Sequence, residues 1–544
     1  MRRPVAQSSP QEKQSSRSPQ VIKNQQSLSP SSSPRSPHLR SSLSYGNTTS
    51  STTSSTPRIS LRWLCLSLMA MVALIFVMGT MGLFFVGNPW PSSDNKAQDK
   101  LLEPPTVLNQ DQEEIQREIQ NFLFDNNHQD PSSVSPTIQH LLETWESPLV
   151  HIVNTRFMQE QGHLKALGRA RFYLFTTFCL PTMRLQSTQD FLWIIKTDLQ
   201  LDVTLLHKMV HLLQPYSNIY LVASNQNYMI RNTNNNNAGN SWRDGAEIQD
   251  LLHAPIYTGN ITRLYQAMLQ TNRQVILETR LDADDGLHKY YLKQIQDKAI
   301  DQFLSTTSEP PKWLYWCTRR HVEWHGGAAV VKNPALLPGK NQTLSQQELV
   351  DYYGSLLVVE HSKLCITPGI TVGFGIGTPA DQVPIHAHDK LFQEIRSLAP
   401  HNACGYEHVK DCLELVEDFL LVAVRARTPT SAGMQRVEME QEEQDNDTTT
   451  NNTTTTKNNK KKKKKKHHKP TPPHVSSFRM YLYWDLLHDD FGVLREQIKY
   501  TNRYILDHLV PIAKDNLQGQ CTSDHSCKNE TKDKLLKIIA ENGG

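Results

Sequence analysis

A mixed α/β fold, three layers deep around a mostly parallel sheet, is predicted for the folded part of this 544-residue chain. Three observations predict it. Short apolar runs rich in β-branched and aromatic residues alternate with stretches of helical periodicity from about residue 149 onward. One of these runs, Val275-Ile276-Leu277, leads directly into Asp282, Asp284 and Asp285, and open α/β sheets bind ligands at the carboxyl edge of their strands. The flanking tracts are too polar to bury a core, so the fold is confined to the middle and the C-terminal end.

Outside that region the chain has strong compositional boundaries. Residues 1–62 are rich in Ser, Pro, Thr and Gln and carry nine Lys/Arg against Glu12 alone, so the remainder is net acidic in a chain of net charge +3. That balance does not suit a nucleic-acid binder, and none is expected as a partner. Trp63–Val86 is an uncharged apolar stretch of 24 residues. At roughly 1.5 Å per residue it is long enough for a bilayer core of about 30 Å. Arg58 and Arg62 precede it, and no Lys or Arg follows before Lys96, which predicts a type II single-pass protein with a cytosolic, disordered N-terminal tail. Residues 88–147 read as a stem, 149–430 as the principal domain, 431–475 as a low-complexity Thr/Asn/Lys insertion, and 476–544 as a helical C-terminal element.

Within the principal domain Leu149–Val153 is the first strand, and Leu164, Leu167, Ala170, Leu174 and Phe178 form one helix face that Pro181 is expected to stop. Phe191–Ile195 is a second strand leading to Asp198, followed by a helix over Asp202–Leu213, a strand at Ile219–Val222 and a helix over Ile261–Gln270. After the aspartates, a helix is expected from Leu287 to Leu304, and strands at Trp313–Trp316, Ala328–Val331 and Ile370–Phe374. Gly369, Gly373, Gly375 and Gly377 imply close backbone approach, to a ligand or to a neighbouring strand. Eight cysteines, with Cys65 in the apolar stretch, leave seven for an oxidising lumen. Cys404–Cys412 and Cys521–Cys527 are the local pairs expected to form disulfides. Sequons at Asn260, Asn341, Asn446, Asn451, Asn452 and Asn529 suit the same compartment.

Three carboxylates within four positions repel one another and call for a cation between them. Hard oxygen ligands select magnesium, manganese or calcium, and one or two carboxylates plus phosphate oxygens are a common way to hold a nucleotide. Gly286 is expected to let the chain turn sharply after them. The bland account of the same residues is a solvated acidic turn in front of a helix.

Thr155-Arg156-Phe157, the stretch from Leu164 to Phe175 with Cys179-Leu-Pro-Thr182 and Asp190–Asp198, and Arg280–Leu287 together resemble the rhamnosyltransferase family of GT-A-type glycosyltransferases, over roughly residues 149–400. The resemblance implies a GT-A-like sheet and a nucleotide sugar donor whose pyrophosphate sits on a manganese or magnesium ion. Asp284 would then be a direct metal ligand, Asp285 would orient the ion, and Asp282 would meet the metal, its bound water or the ribose. Arg156, Asp198 and Arg280 would face the nucleotide sugar. His388 or His386 would be a further metal ligand, and Glu323 or Asp381 the general base for the acceptor hydroxyl. The expected protein is a Golgi-membrane glycosyltransferase, with its catalytic domain lumenal and a glycan or glycoprotein as acceptor. The alternative is a non-catalytic cell-surface or cell-wall protein that binds calcium or polyanions, with Lys460–Lys466 gripping an anionic matrix.

Overall fold

The computed structural model describes residues 110–124, 134–226, 241–305, 309–326, 346–360, 364–384, 388–398, 403–431, 477–521 and 529–542. The chain divides into two units, Met1–Asp99 and Lys100–Gly544, and every described residue belongs to the second. The apolar stretch Trp63–Val86, the insertion beyond Ser431 and the expected strand at Ala328–Val331 lie outside the described residues. Among the described residues no helix is long and apolar enough to cross a membrane.

The larger sheet has seven strands in the order β10-β6-β9-β4-β1-β2-β3. They are β1 Leu149–Phe157, β2 Leu192–Thr197, β3 Ile219–Ala223, β4 Val275–Arg280, β6 Trp313–Cys317, β9 Thr371–Phe374 and β10 Leu413–Leu415. Pairing is parallel throughout except at β9, which runs antiparallel to both β4 and β6. Residues of β1, β2, β3 and β4 are buried almost without interruption, because helices cover both faces and leave no solvated side to alternate toward.

A second sheet was not foreseen. It has the order β5-β11-β7-β8, from β5 Asp285–Leu287, β7 Arg320–His325, β8 Ser355–Glu360 and β11 Ala423–Arg427. Asp285–Leu287 is therefore a strand and not a helix start. The helix after it is shorter than expected, because Tyr290 is its N-cap and Ile300–Leu304 widen into a π-turn.

The described helices are α1 Gln110–Phe124, α2 Pro136–Glu143, α3 Lys165–Leu174, α4 Leu180–Arg184, α5 Val203–Leu213, α6 Ala246–His253, α7 Ile261–Leu269, α8 Tyr291–Ala299, α9 Gln346–Tyr353, α10 His388–Gln393, α11 Ser477–Asp489, α12 Arg495–Asp507, α13 Leu509–Cys521 and α14 Asn529–Asn542. Helices α1 and α2 fall in the stretch read as stem, yet Ile119, Ile138 and Leu141 enter the core. Pro181 does not stop the helix before it. A π-turn over Phe175–Cys179 separates α3 from α4, and Pro181 then occupies the first turn of α4, where a missing N–H leaves no bond unmade.

Among the described residues two disulfides are formed, Cys317–Cys365 and Cys404–Cys412, and Cys179 is free and buried. Only the second was anticipated, and Cys527 lies outside the described residues. Gly373 and Gly375 make room for neighbouring chain, whereas Gly377 holds left-handed backbone at φ 69° with nothing close to it. A methyl on Gly373 would lie 2.7 Å from Trp316, and one on Gly375 2.8 Å from the Pro311 carbonyl.

Candidate functional site

The chain passes from one sheet to the other through the aspartates. Strand β4 ends at Arg280, whose amide donates to the Ile370 carbonyl, and the Leu281 amide donates to the Asn154 carbonyl. A turn closed from the Asp285 amide to the Asp282 carbonyl then feeds β5, where Asp285 pairs with Arg425 across the antiparallel register. Gly286 has no left-handed backbone. It is required because a methyl there would lie 2.6 Å from Thr182 Cγ2 and 2.9 Å from the Phe178 carbonyl, so the aspartate-bearing strand is pressed against the π-turn.

The turn opens onto a cleft of about 430 Å³. Its floor is Asp282, Asp284 and Asp285, and its walls carry Arg156, Arg171, Arg280, Arg425 and Arg427. One rim is the segment Met158–Gln161, the other Thr430 and Ser431. Five guanidinium groups outnumber four carboxylates, Glu160 being the fourth. Met158 and Glu160 hold left-handed backbone at φ 58° and 59°, a conformation kept only where the surroundings enforce it.

The charges are tightly interlocked. Ser431 Oγ donates to Asp284 Oδ2 at 3.1 Å, and the Ala426 amide donates to the Asp284 carbonyl. Burial, then the Asp282 charge, push the Asp284 carboxyl above its ordinary range against the pull of Arg171 and Arg425. Burial likewise drives Asp285 well upward. Arg425 Nε approaches Asp285 Oδ2 at 3.5 Å, but neither atom has a hydrogen-bond partner. Arg171 donates to Gln161 Oε1 at 2.6 Å and to the Thr430 carbonyl at 3.3 Å. Arg280 stands 3.7 Å from Asp282.

The remaining expected residues are placed elsewhere. Asp198 accepts from the Gly162 amide at 3.2 Å and the Gln200 amide at 2.7 Å, so it anchors the Met158–Gln161 rim from behind. Glu323 sits on β7 between His321 and His325, with Arg427 Nε 2.7 Å away. Burial opposes its charge, but the hydrogen bonds of both histidines and the Arg427 guanidinium prevail and hold the carboxyl well below the usual range. A carboxylate held so strongly ionised is a weak proton acceptor; its geometry fits the positioning of Arg427. Asp381 is exposed on a single 3₁₀ turn, Ala380–Gln382. His386 lies outside the described residues, as does the His388 side chain, although His388 begins α10.

Among the described residues no three His, Cys, Asp or Glu side chains are arranged to hold a metal ion. The donor set suits a divalent cation that takes one or two carboxylates, from Asp282 and Asp284, and completes its shell on phosphate oxygens. The unsatisfied Asp285 Oδ2, and the burial and neighbouring Asp282 charge that raise Asp284, both favour added positive charge there.

The sequence reasoning overlooked Arg171, Arg425, Arg427, Glu160 and Ser431. A signal existed for two of them. The alternation in Ala423-Val-Arg-Ala-Arg427 puts both arginines on one face of a strand.

No curated protein sequence matches this chain. The solved structure entitled "Crystal structure of S. aureus TarS 1-349" aligns at 11% identity over 73% of this chain and 92% of that chain, with a TM-score of 0.21, too low to support an argument. Residues 163–249 match the family model described as "Putative rhamnosyl transferase", a match that takes in Arg171 and Asp198 and stops short of Asp282.

Proposed function

We propose that this chain is a glycosyltransferase that takes a sugar from a nucleoside diphosphate donor, with rhamnose a candidate sugar, and passes it to a glycan or glycoprotein acceptor. The observation that carries the reading is the cleft at the carboxyl edge of β1 and β4, where guanidinium groups surround an acidic turn. A diphosphate brings compact negative charge, and bidentate guanidinium groups are the side chains best matched to it. Breaking the bond between the anomeric carbon and the phosphate oxygen moves charge onto the leaving diphosphate. Arg171 and Arg425, fixed before the reaction starts, stabilise that charge more than the ground state.

Asp282 and Asp284 would hold a manganese or magnesium ion, which when bound supplies further positive charge at the phosphates. Glu160, the exposed carboxylate of the cleft's four, faces the open side from which an acceptor hydroxyl enters. The apolar stretch Trp63–Val86 anchors the chain in a Golgi membrane with this domain in the lumen, a placement that the disulfides Cys317–Cys365 and Cys404–Cys412 favour.

The test is a thermal-shift panel of nucleotide sugars, each with and without manganese, followed by transfer assays on the Asp282→Ala, Asp284→Ala double variant. A nucleotide-sugar shift that needs the metal and disappears in the double variant is expected. Undiminished transfer by that variant would refute the assignment.

A further inference from the structure

The C-terminal helices had no legible purpose in the sequence, and one of them reaches the cleft. Helix α3 carries Arg171, but its own N-cap residue, Leu164, makes no capping bond. Asp515 of α13 supplies the cap from more than three hundred residues away. Its Oδ2 accepts from the Ala166 amide at 2.8 Å and the Leu167 amide at 3.1 Å, placing a negative charge on the positive end of the helix. One residue on, Asn516 is buried and its Nδ2 donates to the Pro429 carbonyl at 2.6 Å. This pins the turn whose Thr430 carbonyl receives Arg171 and whose Ser431 holds Asp284. The Gly519 carbonyl, one helical turn further, accepts from Gln161 Nε2 at 3.4 Å, and Gln161 Oε1 in turn accepts from Arg171.

Three positions on one face of α13 therefore each fix one of the three supports of the Arg171 guanidinium: its helix, the Gln161 rim and the Thr430 turn. We infer that α13 is a positioning element for the anion side of the cleft, acting through Asp515, Asn516 and the Gly519 carbonyl to hold Arg171 and Asp284 in register for a diphosphate. The inference rests on the diphosphate-binding reading of that cleft. The C-terminal element is thus part of the site's construction and not an appendage to it.

The experiment is calorimetric titration of the full-length chain with inorganic pyrophosphate, alongside its unfolding midpoint. Asn516→Ala removes the Pro429 tether. Gly519→Ala is the sharper variant. Alanine raises intrinsic helix propensity, yet the new methyl would lie 2.9 Å from Gln161 Nε2 and 2.7 Å from Leu164 Cδ1, displacing Gln161 from its carbonyl. We expect pyrophosphate binding about tenfold weaker in each, close to that of Arg171→Ala, with the Gly519→Ala midpoint close to that of the unaltered chain, because the crowded atoms are side-chain ends that can shift and not backbone as at Gly286. Full affinity in Gly519→Ala and Asn516→Ala, with Arg171→Ala impaired, overturns the inference. No pyrophosphate binding by the unaltered chain overturns the underlying reading of the cleft, so the two failures are distinguishable.

Discussion

Arg425 and Arg280 stand beside neighbouring aspartates under opposite conditions. Asp285 is buried and Arg425 mostly so, in the pairing of β11 with β5. Burial works against the Arg425 charge, but the three aspartates outweigh it and raise its pKa above the ordinary value. Truncating one member of such a pair strands the other charge, so Arg425→Ala should lower the unfolding free energy by roughly 3 kcal/mol in denaturant titration. Arg280 and Asp282 are about a third exposed or less and 3.7 Å apart, so Arg280→Ala should cost less than about 1 kcal/mol in the same titration. On the proposed reading its effect should appear in donor affinity instead.

Glu323 adds a pH signature. Its folded pKa lies below its unfolded value, so its contribution is present above the unfolded carboxylate pKa of about 4.3 and is lost as pH falls below it. Glu323→Gln should therefore destabilise the protein at neutral pH, and the gap to the unaltered chain should narrow steadily in unfolding titrations below about pH 4. A gap that stayed constant to pH 3 would contradict that account.

Among the elements, those that could be read in the sequence were the ones whose burial follows their own composition. Strands β1, β2, β3 and β4 are buried on both faces, and the apolar runs within them were visible. Strands β5 and β7 were not, and β11 showed only the alternation that sets Arg425 and Arg427 on one face. Their charged residues find partners far along the chain, Glu323 with Arg427 and Asp285 with Arg425, and no local pattern announces a partner a hundred residues away. The π-turn at Phe175–Cys179 was equally hidden, since its cause lies in what packs on it. Gly286→Ala should test that contact. Its methyl meets Phe178 and Thr182 at under 3 Å, and overpacking of this kind costs about 1–3 kcal/mol. If the cleft holds a nucleotide sugar as proposed, its binding should be lost as well, because Asp285 sits on the same strand and Asp284 directly precedes it.

At the scale of the whole molecule, the acidic turn was legible and its surroundings were not. Asp282, Asp284 and Asp285 do floor a cleft, as a strand ending in carboxylates suggested. The five arginines that give the cleft its sign converge from α3, β11, the end of β4 and the end of β1, and only the fold reveals that convergence. The disulfide Cys317–Cys365 ties the end of β6 to the approach of β9 across a separation of 48 residues. Closing a loop of that length constrains the unfolded chain by about 4 kcal/mol, so Cys317→Ser should lower unfolding stability by that order, and a reducing agent, which also opens Cys404–Cys412, should lower it at least as far.

The passage from β4 to β5 has one more consequence. Only Leu281, Asp282, Ala283 and Asp284 separate a strand of one sheet from a strand of the other. A chain that short is an inextensible strap, reaching at most about 3.5 Å per residue, so the two sheets cannot draw apart at that point to admit a bulkier ligand. On the proposed reading, any adjustment to sugars of different size must come from the two rims, Met158–Gln161 and Thr430–Ser431, while the acidic floor keeps a constant gauge.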